Sequence, residues 1–498
     1  MKSIFRATAI LSGSSVISIL LSLASAKVMA LYLHPDGYGY YGLLQSFVGL
    51  AGLVTGMGIA TGMVRMGARA VTGSDGMTIS ALRSGAWLLF SALACVALGA
   101  LAVFREAIAR LAFGMPGRGG VTLWMGIALV FTVAGSLQCG TLNAYHQVGA
   151  LAKYGVTNTI LSTLFSITAV LLWGVRGVVP AVIGGAVVGW LASAYFLRSE
   201  VGALPAQPDK RAILKAAGSL LRFGFPYTAS MLIGTGVQLA LPMVVLHLLS
   251  RESVGYYRAA AAISVGYLGF LVTAMGQDYY PRLSAACDRP QAMISIINDQ
   301  HRLIMIIGVP LILATLALVP ILIPVIYSPK FSPAVDILEW QLLGDIFKFS
   351  SWTMSFAILA RCSSLTYFLT ELVGGITTLL TTWLAVRWFG LSGLGISFLI
   401  TYVVYYAVVW CVIRRDIQLV WSATNKKMML GSLAAALFIR VLPSTRFAYL
   451  RTPAALALAL AAGIYSLIFV WRTFMHESLG ENVVSDGQKS TAATIPGV

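Results

Sequence analysis

Residues 335–359 read V-D-I-L-E-W-Q-L-L-G-D-I-F-K-F-S-S-W-T-M-S-F-A-I-L. At about 1.5 Å of helical rise per residue, the run is long enough to cross a hydrocarbon core of about 30 Å. Asp345 and Lys348 fall near its centre. Charge at that depth costs several kcal/mol unless it is paired or faces a wet cavity, so it marks polar traffic or a buried ion pair. The stretch therefore reads as a membrane helix of a protein that handles something polar.

The composition extends that reading to the whole chain. Of 498 residues, 58% are hydrophobic and 10% charged, and the mean hydropathy is +0.85. Soluble domains carry about 25% charged residues, so the chain is a polytopic membrane protein. Its net charge of +17 would point to nucleic acid in a soluble protein. Here it follows from Lys and Arg collecting in cytoplasmic loops, and no nucleic-acid partner is expected. The five cysteines stand singly, with no C-x-x-C pair and no His cluster. That spacing offers neither a disulfide framework nor a zinc site, and the thiols read as small core hydrophobes.

Apolar runs of spanning length predict about fourteen helices. They lie at 9–33, 40–64, 84–104, 121–145, 150–174, 177–197, 223–249, 256–280, 302–327, 335–360, 364–386, 391–413, 428–443 and 453–474. Ala24-Ser25-Ala26 looks like a signal-peptidase site, but the apolar run continues to Leu33, so the segment reads as the first membrane helix. A cytoplasmic N-terminus leaves about 21 Lys and Arg on that side and about 10 on the other, which supports cytoplasmic N- and C-termini. The expected organisation is a six-helix lobe at 1–200, a cytoplasmic linker at 201–222, a second six-helix lobe at 223–415 and two further helices at 416–475. A polar tail, 476–498, is expected to be disordered.

A repeat supports two lobes. His34 to Gly42 reads H-P-D-G-Y-G-Y-Y-G, and Ser250 to Arg258 reads S-R-E-S-V-G-Y-Y-R. Each Gly-Tyr-Tyr follows an acidic residue and opens the second helix of its half, as in a parallel duplication that holds substrate between its halves. The fold class is thus all-α and polytopic, with two pseudo-symmetric six-helix lobes around a central cavity and two C-terminal helices.

Several motifs then resemble a known family. P-D-G-Y-G-Y-Y followed by G-L-L-Q-S is similar to the first hairpin of polysaccharide transporters in the multidrug/oligosaccharidyl-lipid/polysaccharide flippase superfamily. Phe331-Ser332-Pro333 with D-I-L-E-W-Q-L-L-G-D-I-F-K (Asp336 to Lys348), T-Y-F-L-T-E-L (Thr366 to Leu372) and W-F-G-L-S-G-L-G-I-S-F-L-I-T-Y-V-V-Y (Trp388 to Tyr405) resemble lipid III and O-antigen flippases. The resemblance covers roughly residues 1–415; the last two helices depart from its twelve-helix core. It implies a flippase of the bacterial cytoplasmic membrane rather than an enzyme. Its substrate would be an undecaprenyl-diphosphate-linked oligosaccharide, moved from inner to outer leaflet by alternating access. Membrane lipids and a polysaccharide polymerase complex are the implied partners.

Such a substrate needs cations for its diphosphate and hydroxyls or amides for its sugars. The helical cations are Lys27, Arg258 and Lys348; the amides are Gln45, Gln138, Asn143, Asn158 and Gln238. Each cation also has a plainer reading. Lys27, roughly 10 Å from its helix end, could snorkel to headgroups, Arg258 could anchor a shallow helix end, and Lys348 could form a structural ion pair. Glu371, across the hairpin turning near Arg361, matches its depth to about 4–5 Å, and Asp345 lies three residues before it on the same helix face. A buried carboxylate beside a cation also suits coupling to a proton or sodium gradient, with Glu371 first and Asp345 second. Asp278 reads as a solvated helix end, and the Tyr-rich turns as an interfacial aromatic belt. No metal or organic cofactor is called for, and no P-loop, D-x-D or G-x-S-x-G motif occurs, so ATP-driven transport would need another chain. Two alternatives stand beside the flippase. One is a drug exporter of the same superfamily, for which three embedded cations are a poor match. The other is a membrane polymerase or ligase, for which the longest outer loop, 105–120, holds a single acid, Glu106.

Overall fold

The computed structural model describes residues 2–71, 79–201, 208–361, 364–441 and 452–469. The tail from His476 and the side chain of Asp278 lie outside the described residues. The described residues form helices joined by turns and short loops, with no strand among them. In order, the helices are α1 (Lys2–Gly56), α2 (Ile59–Val71), α3 (Ile79–Val103), α4 (Arg105–Phe113), α5 (Gly120–Ala144), α6 (Val148–Trp173), α7 (Val178–Val201), α8 (Lys210–Met231) and α9 (Val237–Leu248). They continue with α10 (Arg251–Ala261), α11 (Leu268–Ala285), α12 (Pro290–Ile326), α13 (Ala334–Arg361), α14 (Ser364–Phe389), α15 (Gly393–Ile417) and α16 (Ala423–Val441), and α17 (Thr452–Phe469).

The helices stand where the apolar runs placed them, with informative differences at the ends. α8 begins at Lys210 and α12 at Pro290, each about a turn or more before its apolar run. These openings are amphipathic and bury Ala216 and Leu220, or Met293 and Ile297, so a hydropathy window passes over them while the fold does not. α4 occupies what reads as a loop; it buries Ala112 and Phe113 and ends at left-handed Gly114. Cys95 and Cys411 are exposed rather than in the core. They join an outward-facing apolar surface, such as Leu164, Leu172, Ile376 and Leu380, of the kind lipid covers.

α1 is two helices joined at a kink. His34 takes φ 57 and ψ −179; the residue before a proline avoids the helical ψ, and Pro35 then starts the second arm, 35–56. That arm bends by 47° into α2. Two π-helical turns, Leu232–Gly236 and Ala262–Tyr267, interrupt α8–α9 and α10–α11; such turns widen the helix and loosen its hydrogen-bond ladder.

The chain groups into two compact units. The first holds Met1–Tyr267, Ile321–Trp340 and Phe368–Thr401; the second holds Leu268–Pro320, Gln341–Tyr367 and Tyr402–Val498. In the first, Tyr38, Tyr327 and Phe331 form an aromatic cluster with ring centroids 5.3–5.7 Å apart. In the second, Tyr279, Leu283, Met293, Ile297, Met354 and Ile413 are among the core residues.

The duplication is written in the helix bounds. Arg258 bonds the carbonyl of a residue 216 positions earlier, Gly42, and whole elements keep the same spacing. α6 starts at Val148 and α14 at Ser364; α7 ends at Val201 and α15 at Ile417. Gly174 (φ 55) and Gly390 (φ 57) make the same left-handed turn. Three residues later, Gly177 and Gly393 press bare backbone on the carbonyls of Ala169 and Ala385.

Within the first unit, the two Gly-Tyr-Tyr motifs pack against each other. A Cβ on Gly39 would overlap the carbonyl of Arg251, and one on Gly255 would overlap that of Pro35. Arg251 Nε donates to Asp36 Oδ1 at 3.1 Å beside the crossing. In a membrane, where apolar burial between helices gains little, such close approach supplies the attraction. Gly255→Leu should therefore lower folding stability by about 1–3 kcal/mol or more, read as the melting temperature in detergent. Gly99→Ala, whose Cβ would meet nothing within 4 Å, should leave melting unchanged or slightly raised.

Candidate functional site

The half-buried Arg258 leaves α10 one turn past that crossing. Its Nη1 donates to the Gly42 carbonyl at 2.7 Å and its Nη2 to Gln45 Oε1 at 2.9 Å. Gln45 Nε2 in turn donates to the Tyr41 hydroxyl at 2.7 Å. Gly42 makes this possible, because any Cβ there would overlap the Arg258 side chain. A guanidinium has five N–H donors, so the two bonds orient it while leaving capacity for an anion.

Gln45 and Tyr41 line a cavity of about 400 Å³ within the first unit. The first arm of α1 contributes Ser25, α5 contributes Phe131 and Thr132, α6 contributes Tyr154, Asn158 and Ser162, and α7 contributes Trp190. Hydroxyls and amides alternate with aromatic faces. Asn158 Oδ1 is buried without a hydrogen-bond partner among the described residues. The walls can thus accept and donate hydrogen bonds while presenting flat apolar surfaces.

The second unit treats charge differently. Lys348 and Asp345 are 2% and 0% exposed, and their Nζ and Oδ1 atoms lie 3.3 Å apart, three residues apart on α13. The Lys348 ammonium also stands 5.8 Å from the ring centroids of Trp352 and Tyr402. One turn away, fully buried Gln341 has neither amide atom bonded among the described residues. Nearby, His301 bonds Ser350 at 3.0 Å, and Asn298 and Asn425 bind one another at 3.0 Å. This is a buried polar stripe in which an ion pair and side-chain hydrogen bonds satisfy some of the polar groups.

The remaining sequence candidates scatter. Lys27 donates to the Val325 carbonyl at 2.6 Å, so it caps the last turn of α12, where a cation also suits the helix dipole. Gln138 is buried and accepts a hydrogen bond from Ser193. Asn143 is exposed in the last turn of α5, and Gln238 is exposed on α9. Glu371 is half-buried on α14 in the first unit; a Cβ on Gly234, in the π-helical turn, would stand 3.8 Å from its carboxylate. Among these candidates, the fold joins Arg258 with Gln45 and Lys348 with Asp345. Sequence reasoning passed over Tyr154, Ser162 and Trp190, and read Tyr41 with the interfacial aromatic belt. Only their spacing along α1, α6 and α7 toward a shared face could have signalled them.

With this geometry established, three likenesses bear on identity. Residues 28–336 match the family described as polysaccharide biosynthesis protein. That stretch includes Arg258 and the cavity lining apart from Ser25, and stops short of Asp345 and Lys348. The chain is 22% identical over 424 residues to the lipid III flippase of Escherichia coli (strain K12), covering 82% of this chain and 97% of that one, and equally to that of Shigella flexneri. Among solved structures, the inward closed conformation of the lipid II flippase MurJ superposes with a TM-score of 0.73 at 15% identity, covering 95% of this chain and all of that one. An inward-facing multidrug resistance transporter of the MATE family gives 0.59 at 17% identity, covering 84% and 99%. The structural likenesses establish a shared fold.

The buried pair yields a stability test. Lys348→Ala would strand the Asp345 carboxylate, and breaking a buried pair costs about 3–5 kcal/mol. Melting in detergent should fall steeply, and Lys348→Met with Asp345→Leu together should recover most of the loss. Equal melting of the single variant and the parent would mean that the pair does not hold this unit together.

Proposed function

The chain belongs to the polysaccharide biosynthesis protein family, and on that premise we propose that it is a flippase for a lipid-linked oligosaccharide. The observation that carries the reading is Arg258, oriented by Gly42 and Gln45 at the wall of a hydroxyl-lined cavity inside a membrane-spanning unit. A glycan on a polyprenyl diphosphate has an anionic centre, a polar head and an apolar tail. The guanidinium matches the diphosphate by bidentate hydrogen bonding. The lipid-facing helices leave the tail in hydrocarbon. Two of the chain's relatives are named as flippases of lipid III and lipid II, which supports the same class here.

The finer reading is an undecaprenyl-diphosphate oligosaccharide, such as an O-antigen or other surface polysaccharide repeat unit, carried from inner to outer leaflet of the bacterial cytoplasmic membrane. Lobes 1–200 and 223–415 would alternate access around the bound lipid, with both termini cytoplasmic. Glu371, beside the π-helical turn of α8–α9, is the group for coupling to a proton or sodium gradient. Asp345 is a weaker choice, because its carboxylate is committed to Lys348. A polysaccharide polymerase would consume the flipped lipid outside.

The test is the leaflet distribution of undecaprenyl-diphosphate glycan in cells depleted of the protein and carrying variants. Wild-type chain should restore outward transfer. A hydrogen bond to a charged group is worth about 1.5–3 kcal/mol, so Arg258→Ala should slow transfer by about 10–100-fold. Arg258→Lys should fall between, since an ammonium keeps the charge without the fork. Undiminished transfer in depleted cells that have no second flippase would sink the proposal.

A further inference from the structure

The lining of the cavity is not demanded by the fold, because the other repeat builds the same skeleton with different side chains. At the 216-residue offset, the cavity residues Gly49, Gly135, Gly185, Ala186 and Gly189 correspond to Val265, Ser351, Thr401, Tyr402 and Tyr405. Every one is larger in the second copy. Thr132, in the cavity wall, corresponds to Lys348, whose ammonium lies against the Tyr402 ring. Asn158 corresponds to Gly374, and Gln45 to Ala261. The first repeat has small residues where space is needed and amides where hydrogen bonds are needed. The second has bulk in place of the first and nothing in place of the second.

A cavity lowers stability unless something occupies it, and this one is polar enough to hold water when no ligand is present. Its volume of about 400 Å³ falls within the range of about 300–1,000 Å³ typical of ligand pockets. Its chemistry is specific. The walls hold neutral hydroxyls and amides, with the aromatic faces of Tyr154, Phe131 and Trp190. The charged group lies at one edge, where Arg258 reaches Gln45. A neutral polyol with flat apolar faces fits the interior, and an anion fits the edge. A sugar joined to a diphosphate presents the two in that order.

We infer that this cavity is the seat of the first sugar residues of the transported lipid, with Asn158 and Ser162 as hydrogen-bonding groups, Trp190 as a stacking face and Arg258 holding the diphosphate at the rim. The inference deepens the flippase reading and rests on it. Asn158 Oδ1, buried and unbonded among the described residues, is the acceptor that a sugar hydroxyl satisfies. Gly189 leaves room beside that atom, since a Cβ there would stand 3.1 Å from it. Specificity then resides in the first repeat, while the buried Lys348–Asp345 stripe of the second unit is structural.

Two probes separate the parts: undecaprenyl-diphosphate glycan purified from the cells that make the protein, and undecaprenyl diphosphate without sugar. Affinity of each is measured for full-length protein in lipid nanodiscs. Wild type should bind the glycan-bearing lipid more tightly than the bare one. Asn158→Ala with Ser162→Ala should lose about tenfold for the glycan-bearing lipid, the worth of one to two neutral hydrogen bonds, and nothing for the bare lipid. Ala186→Tyr, which places in the first repeat the side chain the second has at Tyr402, should abolish the preference for sugar. Arg258→Ala should weaken both lipids alike. Equal loss on both probes in the Asn158 and Ser162 variant, or no loss on either, would overturn the cavity assignment and leave the flippase reading intact. Failure of wild type to bind either lipid would overturn the flippase reading itself, and the seat with it.

Discussion

The bare backbone at Gly39, Gly42 and Gly255 is the constraint on which the rest of the first unit depends. Helices in a membrane gain little from burying apolar surface against each other, so they hold by close packing and by hydrogen bonds across the contact. At this crossing the backbone of one motif copy sits where side chains of the other would be. That proximity brings Arg258 to the carbonyl of Gly42 and to Gln45. A single added methyl on Gly42 would displace the guanidinium and, through Gln45 and Tyr41, disturb the cavity wall. The glycines thus set a distance, and the distance sets the chemistry.

The duplication shows what such a skeleton leaves undetermined. Helix bounds, turns and glycine contacts repeat at one offset, yet the polar residues do not. One copy has Thr132, Gly185 and Asn158 around open space; the other has Lys348, Thr401 and Gly374 at the same places. Backbone packing requires small residues at the crossings and turns and little elsewhere, so the interior side chains were at liberty to diverge. A buried ion pair and a polar cavity are two answers to the same demand, that polar groups within a membrane be satisfied. The pair sets opposite charges 3.3 Å apart. The cavity leaves Asn158 to be satisfied by water or a ligand.

Much of this was legible in the sequence, and the limits have physical causes. Apolar length located the membrane helices, and the Gly-Tyr-Tyr repeat revealed the duplication whose two copies meet. The amphipathic openings of α8 and α12 escaped because hydropathy averages both faces of a helix. The Lys348 partner could not be chosen from depth alone: Glu371 and Asp345 both lay within reach, and the rotamers that join Lys348 to Asp345 depend on what packs around them. Lys27 read as a snorkelling or substrate cation, whereas its ammonium caps α12 at Val325, a residue 298 positions away. The cavity was the least visible feature. It is opened by glycines and alanines on α1, α5 and α7, and the absence of side chains has no hydropathy signature.

The contrast between the two cations decides which can serve a moving anion. Lys348 is buried and paired, so drawing it toward a substrate would expose the Asp345 carboxylate to an environment that cannot solvate it. The cost of breaking such a pair rivals what a phosphate contact returns. Arg258 is half-exposed, held by a carbonyl and an amide rather than by a carboxylate, and can release or add a bond without stranding a charge.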